Sequence, residues 1–120
     1  MPFLHVSERV ARARSAVHSW GSFAWLVDAG QAHGTELSLA RMEVGPGRRT
    51  DAHRHGNCDE AITMLSGCVT VIVDGVETMM WPGDVCWVGR GSAHCFRNDG
   101  EVNAVMLIAF SSGAREVEAA

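Results

Sequence analysis

From residue 23 onward, short apolar runs alternate with turn residues along the chain. The runs are rich in Val, Ile, Thr, Trp and Met, and Gly, Pro, Asn or Asp separate most of them. Short strands at regular spacing, divided by such turns, are typical of an all-β sandwich or barrel. We therefore predict strands over residues 23–27, 36–44, 49–55, 60–65, 68–73, 76–80, 84–88, 93–97 and 103–110.

Two local signals refine this pattern. Asp74-Gly75 stands between two predicted strands and favours a two-residue hairpin turn. Residues 5–19 mix Ala, Arg and Val with a spacing that suits a short helix capped by Ser7, and an extended arm is the alternative. We accordingly divide the chain into an N-terminal arm or short helix (1–22), a β domain (23–112) and a flexible tail (113–120).

Composition narrows the class of protein. The 120 residues suit one domain, and a net charge of −4 argues against nucleic acid as a partner. All 10 basic residues are Arg, which excludes Schiff-base chemistry on Lys. The longest apolar stretch, residues 104–110, is too short to span a membrane. The 4 Cys include no C-x2-C pair, so we expect free thiols and a cytoplasmic protein.

Four residues form a candidate metal site. His53 and His55 are two positions apart, so they share a face of an extended strand. Glu60 follows them, and His94 lies in a later strand. Three imidazoles and one carboxylate suit a divalent transition metal better than calcium or magnesium. Because imidazole binds a metal only when neutral, affinity should fall as the pH drops.

The sequence around these residues resembles the two signature motifs of the cupin superfamily. The first motif, G-x5-H-x-H-x4-E-x6-G, is matched at every fixed position, by Gly47, His53, His55, Glu60 and Gly67. The second motif, G-x5-P-x-G-x2-H-x3-N, is matched by Gly83, Gly91, His94 and Asn98. It departs from the pattern at Gly89, which replaces proline and should loosen a turn without removing a ligand.

The resemblance implies an all-β fold, a cupin-type jelly-roll β-barrel behind a short N-terminal helix or arm. It implies one divalent transition metal per chain, with iron expected and Mn, Ni, Zn, Cu or Co as alternatives. The implied ligands are His53, His55, Glu60 and His94. The resemblance and the apolar strands also favour a homodimer.

Strand parity extends the site to residues that would bind a small-molecule substrate. If the ligands face the interior, residues two positions away on the same strands do so too. The parity rule gives an apolar wall of Ile62, Met64 and Phe96, with Arg49 and Asp51 as polar candidates. Arg41 is a further candidate, because a guanidinium can bind a carboxylate or enolate. For both arginines the alternative is a solvated side chain on the outer face.

The function that the resemblance favours is a metal-dependent oxidoreductase, a mononuclear non-haem oxygenase or dioxygenase acting on a small organic substrate. Glu60 has two alternative roles, metal ligand or catalytic general base. A cupin isomerase, cyclase or lyase that uses the metal as a Lewis acid is an alternative function. A non-catalytic cupin that binds a small ligand or metal is another.

Overall fold

The N-terminal part of the chain contains a short helix. The computed structural model describes residues 3–120. Helix α1 (Glu8–Ala13) follows Ser7, whose side-chain oxygen accepts a hydrogen bond from the Val10 backbone N–H. The predicted helix and its cap are thus confirmed, but residues 16–18 form a strand rather than extending it. No helix among the described residues is long and apolar enough to cross a membrane.

The rest of the described chain is built of strands joined by turns and loops. Their bounds are β1 (Ala16–His18), β2 (Gly21–Val27), β3 (Ser38–Val44), β4 (His53–Arg54), β5 (Glu60–Ser66), β6 (Val69–Val73), β7 (Val76–Met80), β8 (Val85–Val88), β9 (His94–Arg97), β10 (Ala104–Phe110) and β11 (Glu118–Ala119). Most predicted strands lie within two residues of these bounds. The exception is the predicted strand 49–55, of which only β4 is regular.

The strands form two antiparallel sheets. The six-stranded sheet has the order β1-β2-β3-β10-β5-β8, and the five-stranded sheet has the order β11-β4-β9-β6-β7. The all-β jelly-roll architecture is confirmed. Within residues 3–120, however, backbone pairing leaves two separate sheets and does not close into a barrel.

A shared apolar core joins the two sheets. Along β3, Ala40, Met42 and Val44 are buried, and the residues between them lie on the other face. This period of two is the one expected of a strand with a single core face. Ile62 from β5 and Phe96 from β9 belong to the same buried cluster. The core therefore holds β5 of one sheet against β9 of the other.

The β6–β7 hairpin has the turn that its sequence predicts. Val73 pairs with Val76, so only Asp74 and Gly75 lie in the turn. Both have positive φ, 48° and 83°, as a type I′ turn requires. The short turn fixes the register of β7 against β6.

The C-terminal segment, residues 111–120, contacts both sheets and ends in a strand of the five-stranded sheet. Composition predicted a flexible tail over 113–120, but β11 pairs with β4 through Glu118 with Arg54 and Ala119 with His53. Asn57 anchors the segment further upstream through the backbones of Ala114 and Glu116. A two-residue strand has no periodicity to recognise, so its partner emerges only from the fold.

Candidate metal centre

Three histidine side chains converge between the two sheets. His53 in β4 and His94 in β9 are direct cross-strand partners, and His55 follows β4. One ring nitrogen from each lies within 4.8 Å of the others. His55 and His94 are buried. The structure therefore brings together the histidines of both sequence motifs.

Backbone carbonyls orient all three rings. The Nδ1 contacts are His53 with the Asp51 oxygen at 3.1 Å, His55 with the Glu116 oxygen at 2.8 Å, and His94 with the Ser92 oxygen at 3.0 Å. A carbonyl only accepts, so the neutral ring that suits each contact carries its proton on Nδ1. The Nε2 lone pair is then free. Such an outer contact is the usual support of a metal-binding imidazole.

Glu60 reaches the histidines from the opposite sheet, as the first residue of β5. Its Oε1 contacts His94 Nε2, and its Oε2 lies 3.7 Å from His55 Nε2. Both of these nitrogens and Glu60 Oε1 are buried without a well-formed hydrogen bond to any described residue. Buried polar atoms normally have a partner. A divalent transition metal fits this donor set and would supply that partner.

The imidazoles have different proton affinities. Burial, followed by the nearby rings of His94 and His55, lowers the pKa of His53 to about 4. Burial also lowers the pKa of His55. Burial acts to lower the pKa of His94 as well, but the Glu60 carboxylate outweighs it and raises that pKa. His53 and His55 are therefore held neutral, the form that binds a metal.

A cavity of about 360 Å³ adjoins His53. Its wall includes the aromatic side chains of Trp20, Phe23 and Phe96, together with Arg115. Phe96 lines this cavity, although only 2% of its surface is exposed. Ile62 and Met64 also face the interior, but they are packed in the core, with 0% and 1% of their surface exposed.

Two of the three predicted polar contacts, Arg41 and Arg49, lie away from this cavity, whereas Asp51 lines it beside His53. Arg41 is on the outer face of β3, 3.8 Å from Glu43, and lines a second cavity of about 390 Å³ beneath α1. Arg49 is exposed and donates a hydrogen bond to Cys95 Sγ at 3.5 Å. The structure does not bring either guanidinium to the histidines. The Asp51 side chain is exposed, and this residue orients His53 through its backbone oxygen rather than its carboxylate.

An irregularity before β4 explains the displacement of Arg49. Thr50 and His53 both line the cavity, although residue numbers of different parity point to opposite faces of a strand. A regular strand would put them on opposite faces. Residues 51–52 are not part of a strand, so parity is broken there. Thr50 consequently faces inward in the place where parity predicted Arg49.

Several cavity residues were not predicted from the sequence, and Arg115 and His18 are the two that carry polar chemistry at opposite ends of the chain. Arg115 belongs to the segment predicted as a tail, and no motif marks it. His18 lies outside both motifs as well. It is exposed, but its ring stacks on Trp20 at 4.7 Å and lines the cavity. The strand pairings of β1 and β11, together with Asn57, bring these two ends of the chain to the site.

Two curated proteins illustrate the range of sequence relatives. Over 91 residues the chain is 28% identical to the Tetracenomycin polyketide synthase protein TcmJ of Streptomyces glaucescens, covering 76% of this chain and 61% of that protein. Over 64 residues it is 38% identical to Endoribonuclease YbeY of Myxococcus xanthus, covering 53% of this chain and 21% of that protein. The chain therefore spans less than two thirds of either relative.

Solved structures share the fold at lower sequence identity. An oxalate oxidase in complex with glycolate matches with a TM-score of 0.74 at 22% identity, over 88% of this chain and 54% of that one. The oxalate decarboxylase of Lactobacillus farciminis matches with a TM-score of 0.79 at 19% identity, over 88% of this chain and 32% of that one. A cupin sugar phosphate isomerase from Silicibacter pomeroyi matches with a TM-score of 0.69 at 20% identity, over 82% of this chain and 64% of that one. The fold thus occurs in oxidases, decarboxylases and isomerases.

The family assignment comes from the central part of the chain. Residues 40–110 match the Cupin_2 model of the cupin domain. This range includes all three converging histidines, Glu60 and the strands that carry them. The protein belongs to the Cupin_2 family of cupin domains.

Proposed function

We propose that this protein is a metal-dependent cupin enzyme, a mononuclear non-haem oxygenase or dioxygenase acting on a small organic substrate. The observation that carries the proposal is the set of three inward-facing histidines beside an aromatic-lined cavity. The likeness to an oxalate oxidase fold and to a polyketide synthase protein supports an enzyme that modifies small organic molecules.

The residues present fit a bound ion, for which we propose iron. His53, His55 and His94 would hold it through Nε2, with Glu60 as the fourth ligand or as a carboxylate beside it. When bound, iron supplies Lewis acidity and one-electron chemistry toward oxygen. The carbonyl contacts on each Nδ1 keep the rings from turning away.

The chain itself provides a binding cavity and a proton acceptor. Trp20, Phe23 and Phe96 form an apolar wall that excludes water from a substrate placed beside His53. Glu60 is buried among the histidines, where a carboxylate can take a proton from a bound substrate. The cavity favours an apolar substrate body, and the metal centre a polar oxygen at one end.

The contact between Glu60 and His94 favours a second candidate function. A carboxylate fixed beside an imidazole can move a proton between two carbons of a substrate without any oxidant. An isomerase, cyclase or lyase would use the same centre as a Lewis acid. The isomerase and decarboxylase folds among the structural matches support this alternative.

One experiment with two arms separates these functions. The protein is loaded anaerobically with Fe(II) and mixed with β-diketones, phenols or 2-oxo acids. Oxygen uptake after addition of O2 supports the oxygenase. Deuterium exchange at substrate carbon without O2 supports the Lewis-acid enzyme. His94→Ala should abolish either signal, and His33→Ala, at an exposed position, should keep it. Metal binding with neither signal contradicts both and indicates a non-catalytic cupin.

We further propose a cytoplasmic homodimer. Trp81, Val85 and Trp87 are 57%, 69% and 67% exposed, and they lie on or beside the edge strands β7 and β8. Large exposed apolar side chains at sheet edges support association with a second copy. The four free thiols support a reducing compartment. Light scattering after gel filtration should give twice the chain mass, and Trp87→Lys should shift it toward the monomer. A wild-type monomer at high concentration would contradict the dimer.

A further inference from the structure

We infer that Arg115 is the anion-binding residue of the cavity, and that the ligand it selects is a small aromatic or otherwise unsaturated carboxylate. This inference rests on the proposed function, because it places the ligand beside the metal centre. To the proposed function it adds the charge and shape of the ligand, and it names Arg115 as the residue that recognises the ligand.

The guanidinium of Arg115 is surrounded by aromatic rings. Its Cζ lies 4.7 Å from the ring centre of Phe23, 5.2 Å from Trp25 and 4.9 Å from Phe110. Ring faces attract a cation and keep the planar group in one orientation. Phe110 also packs against the ring of His55 at 5.4 Å. The cation is therefore held one aromatic ring away from the histidine cluster.

Arg115 has no close ion-pair partner among the described residues, and the Glu60 carboxylate attracts its charge only from beyond ion-pair distance. Among residues 3–120, no carboxylate forms an ion pair with it and no acceptor takes a hydrogen bond from it. By contrast, the guanidinium of Arg97 binds both Glu77 and Asp99. A partly buried guanidinium offers five N–H donors and normally uses several of them. Because Arg115 lines the cavity, these donors are available to a ligand there.

The backbone on both sides of Arg115 is tied down by one residue. Asn57 donates a hydrogen bond to the Ala114 oxygen at 2.9 Å and accepts one from the Glu116 N–H at 2.8 Å. Glu116 in turn contacts His55 Nδ1 through its own oxygen. The loop that follows the metal-binding histidines therefore positions Arg115. Such a preorganised cation loses little freedom when it binds an anion.

The remaining lining defines the body of the ligand. Beside Arg115 the cavity presents Trp20, Phe23, Ile108 and Phe96, which favour a flat apolar group. A carboxylate matches the planar guanidinium through two parallel hydrogen bonds. His53 lines the same cavity, so an oxygen of the same ligand can face it. Asp51 also lines the cavity, so an anion is favoured there through its contact with Arg115, whose guanidinium favours a carboxylate over a neutral analogue.

The test compares an anion with a neutral molecule of the same shape. Benzoate, salicylate and benzamide are titrated by calorimetry into wild type, Arg115→Gln and Arg115→Lys, each loaded with Co(II). The visible Co(II) spectrum and elemental analysis report whether the metal site is intact. Arg9→Gln removes the same charge from an exposed position of α1 and serves as the control.

We expect Arg115→Gln to weaken benzoate or salicylate binding by about tenfold to a hundredfold while benzamide binding, metal content and spectrum stay unchanged. Arg115→Lys should bind the anions with intermediate affinity, since it keeps the charge and loses the planar fork. Equal affinities in wild type and Arg115→Gln, or no binding of either anion to wild type, would overturn the inference. So would loss of cobalt from Arg115→Gln, which would make Arg115 a structural support. If anions bind through Arg115 but the protein turns over no substrate, the proposed enzymatic function is refuted and the role of Arg115 in anion binding stands.

Discussion

His53 and His94 are direct partners across β4 and β9, with their ring centroids 4.5 Å apart. One residue pair between two short strands thus joins the two sequence motifs into a single site. Gly91, with φ 85°, reinforces the junction by donating its N–H to the His55 oxygen at 2.9 Å. The left-handed backbone there favours glycine. The metal centre therefore depends on backbone pairing as much as on its side chains.

Replacing Glu60 should separate metal binding from chemistry. Glu60→Gln keeps the three histidines and removes the negative charge beside them. We expect metal affinity to fall by roughly tenfold to a hundredfold while turnover is lost, because an amide cannot accept the proton. In the metal-free variant the pKa of His94 should also fall, since Glu60 is what raises it. Competition titrations with a chelator and NMR titration of the imidazoles measure both effects. Full activity in this variant would contradict either role of Glu60.

The metal-free protein should lose stability through His53 as the solution is acidified. The pKa of the His53 imidazole is about 4 in the folded state and about 6.5 in an unfolded chain. Between these values the unfolded state binds more protons, so the free energy of unfolding decreases as the pH falls. His53→Gln lacks this contribution and should lose less stability than wild type over that range. Urea unfolding with a chelator measures the difference, with His33→Gln as the control. The same pH dependence in all three proteins would rule the effect out.

Asn57 should hold the C-terminal segment in place. Asn57→Ala removes its hydrogen bonds to the backbones of Ala114 and Glu116, each worth about 1 kcal/mol. We expect faster amide exchange over residues 111–120 and weaker metal binding, because His55 then loses its Glu116 contact. Hydrogen-exchange mass spectrometry measures the first effect. The substitution Asn103→Ala, at an exposed position before β10, is the control. Unchanged exchange in Asn57→Ala would show that the other contacts of the segment, such as the pairing of β11 with β4, hold it without Asn57.

Ile62 should matter for stability because of its place in the core. Its side chain is fully buried among residues of both sheets. Ile62→Ala should lower the free energy of unfolding by about 2–5 kcal/mol. Leu65→Ala, on the same strand but 46% exposed, should change it by less than about 1 kcal/mol. Denaturant unfolding compares the two variants, and similar losses would contradict the assignment of Ile62 to the core.

The strands were predictable because they follow from local patterns, whereas the resemblance to the cupin motifs added His94 to His53 and His55. The hairpin at Asp74 follows from turn chemistry, and the shared face of His53 and His55 follows from strand period. Parity failed between Thr50 and His53, where residues 51–52 leave the strand. An irregularity of this kind has no signature in the pattern of apolar residues. Because of this irregularity, Arg49 is exposed and Thr50 is buried, whereas parity predicted that Arg49 would face the interior.

Arg115 shows a different limit of sequence reasoning. It lies in a polar, small-residue segment whose composition resembles a free tail. Its place in the cavity follows from the pairing of β11 with β4 and from Asn57, which are contacts between distant parts of the chain. Such contacts are set by the tertiary fold and not by local propensity.

The most direct test of the metal centre is the metal content of His94→Ala. Wild type purified in the presence of Fe(II) should carry about one ion per chain, as a closed set of three imidazoles allows. His94→Ala should retain its circular dichroism spectrum and carry almost none, and His33→Ala should match wild type. A folded His94→Ala protein with wild-type metal content, measured by elemental analysis, would show that the three histidines do not form the metal site.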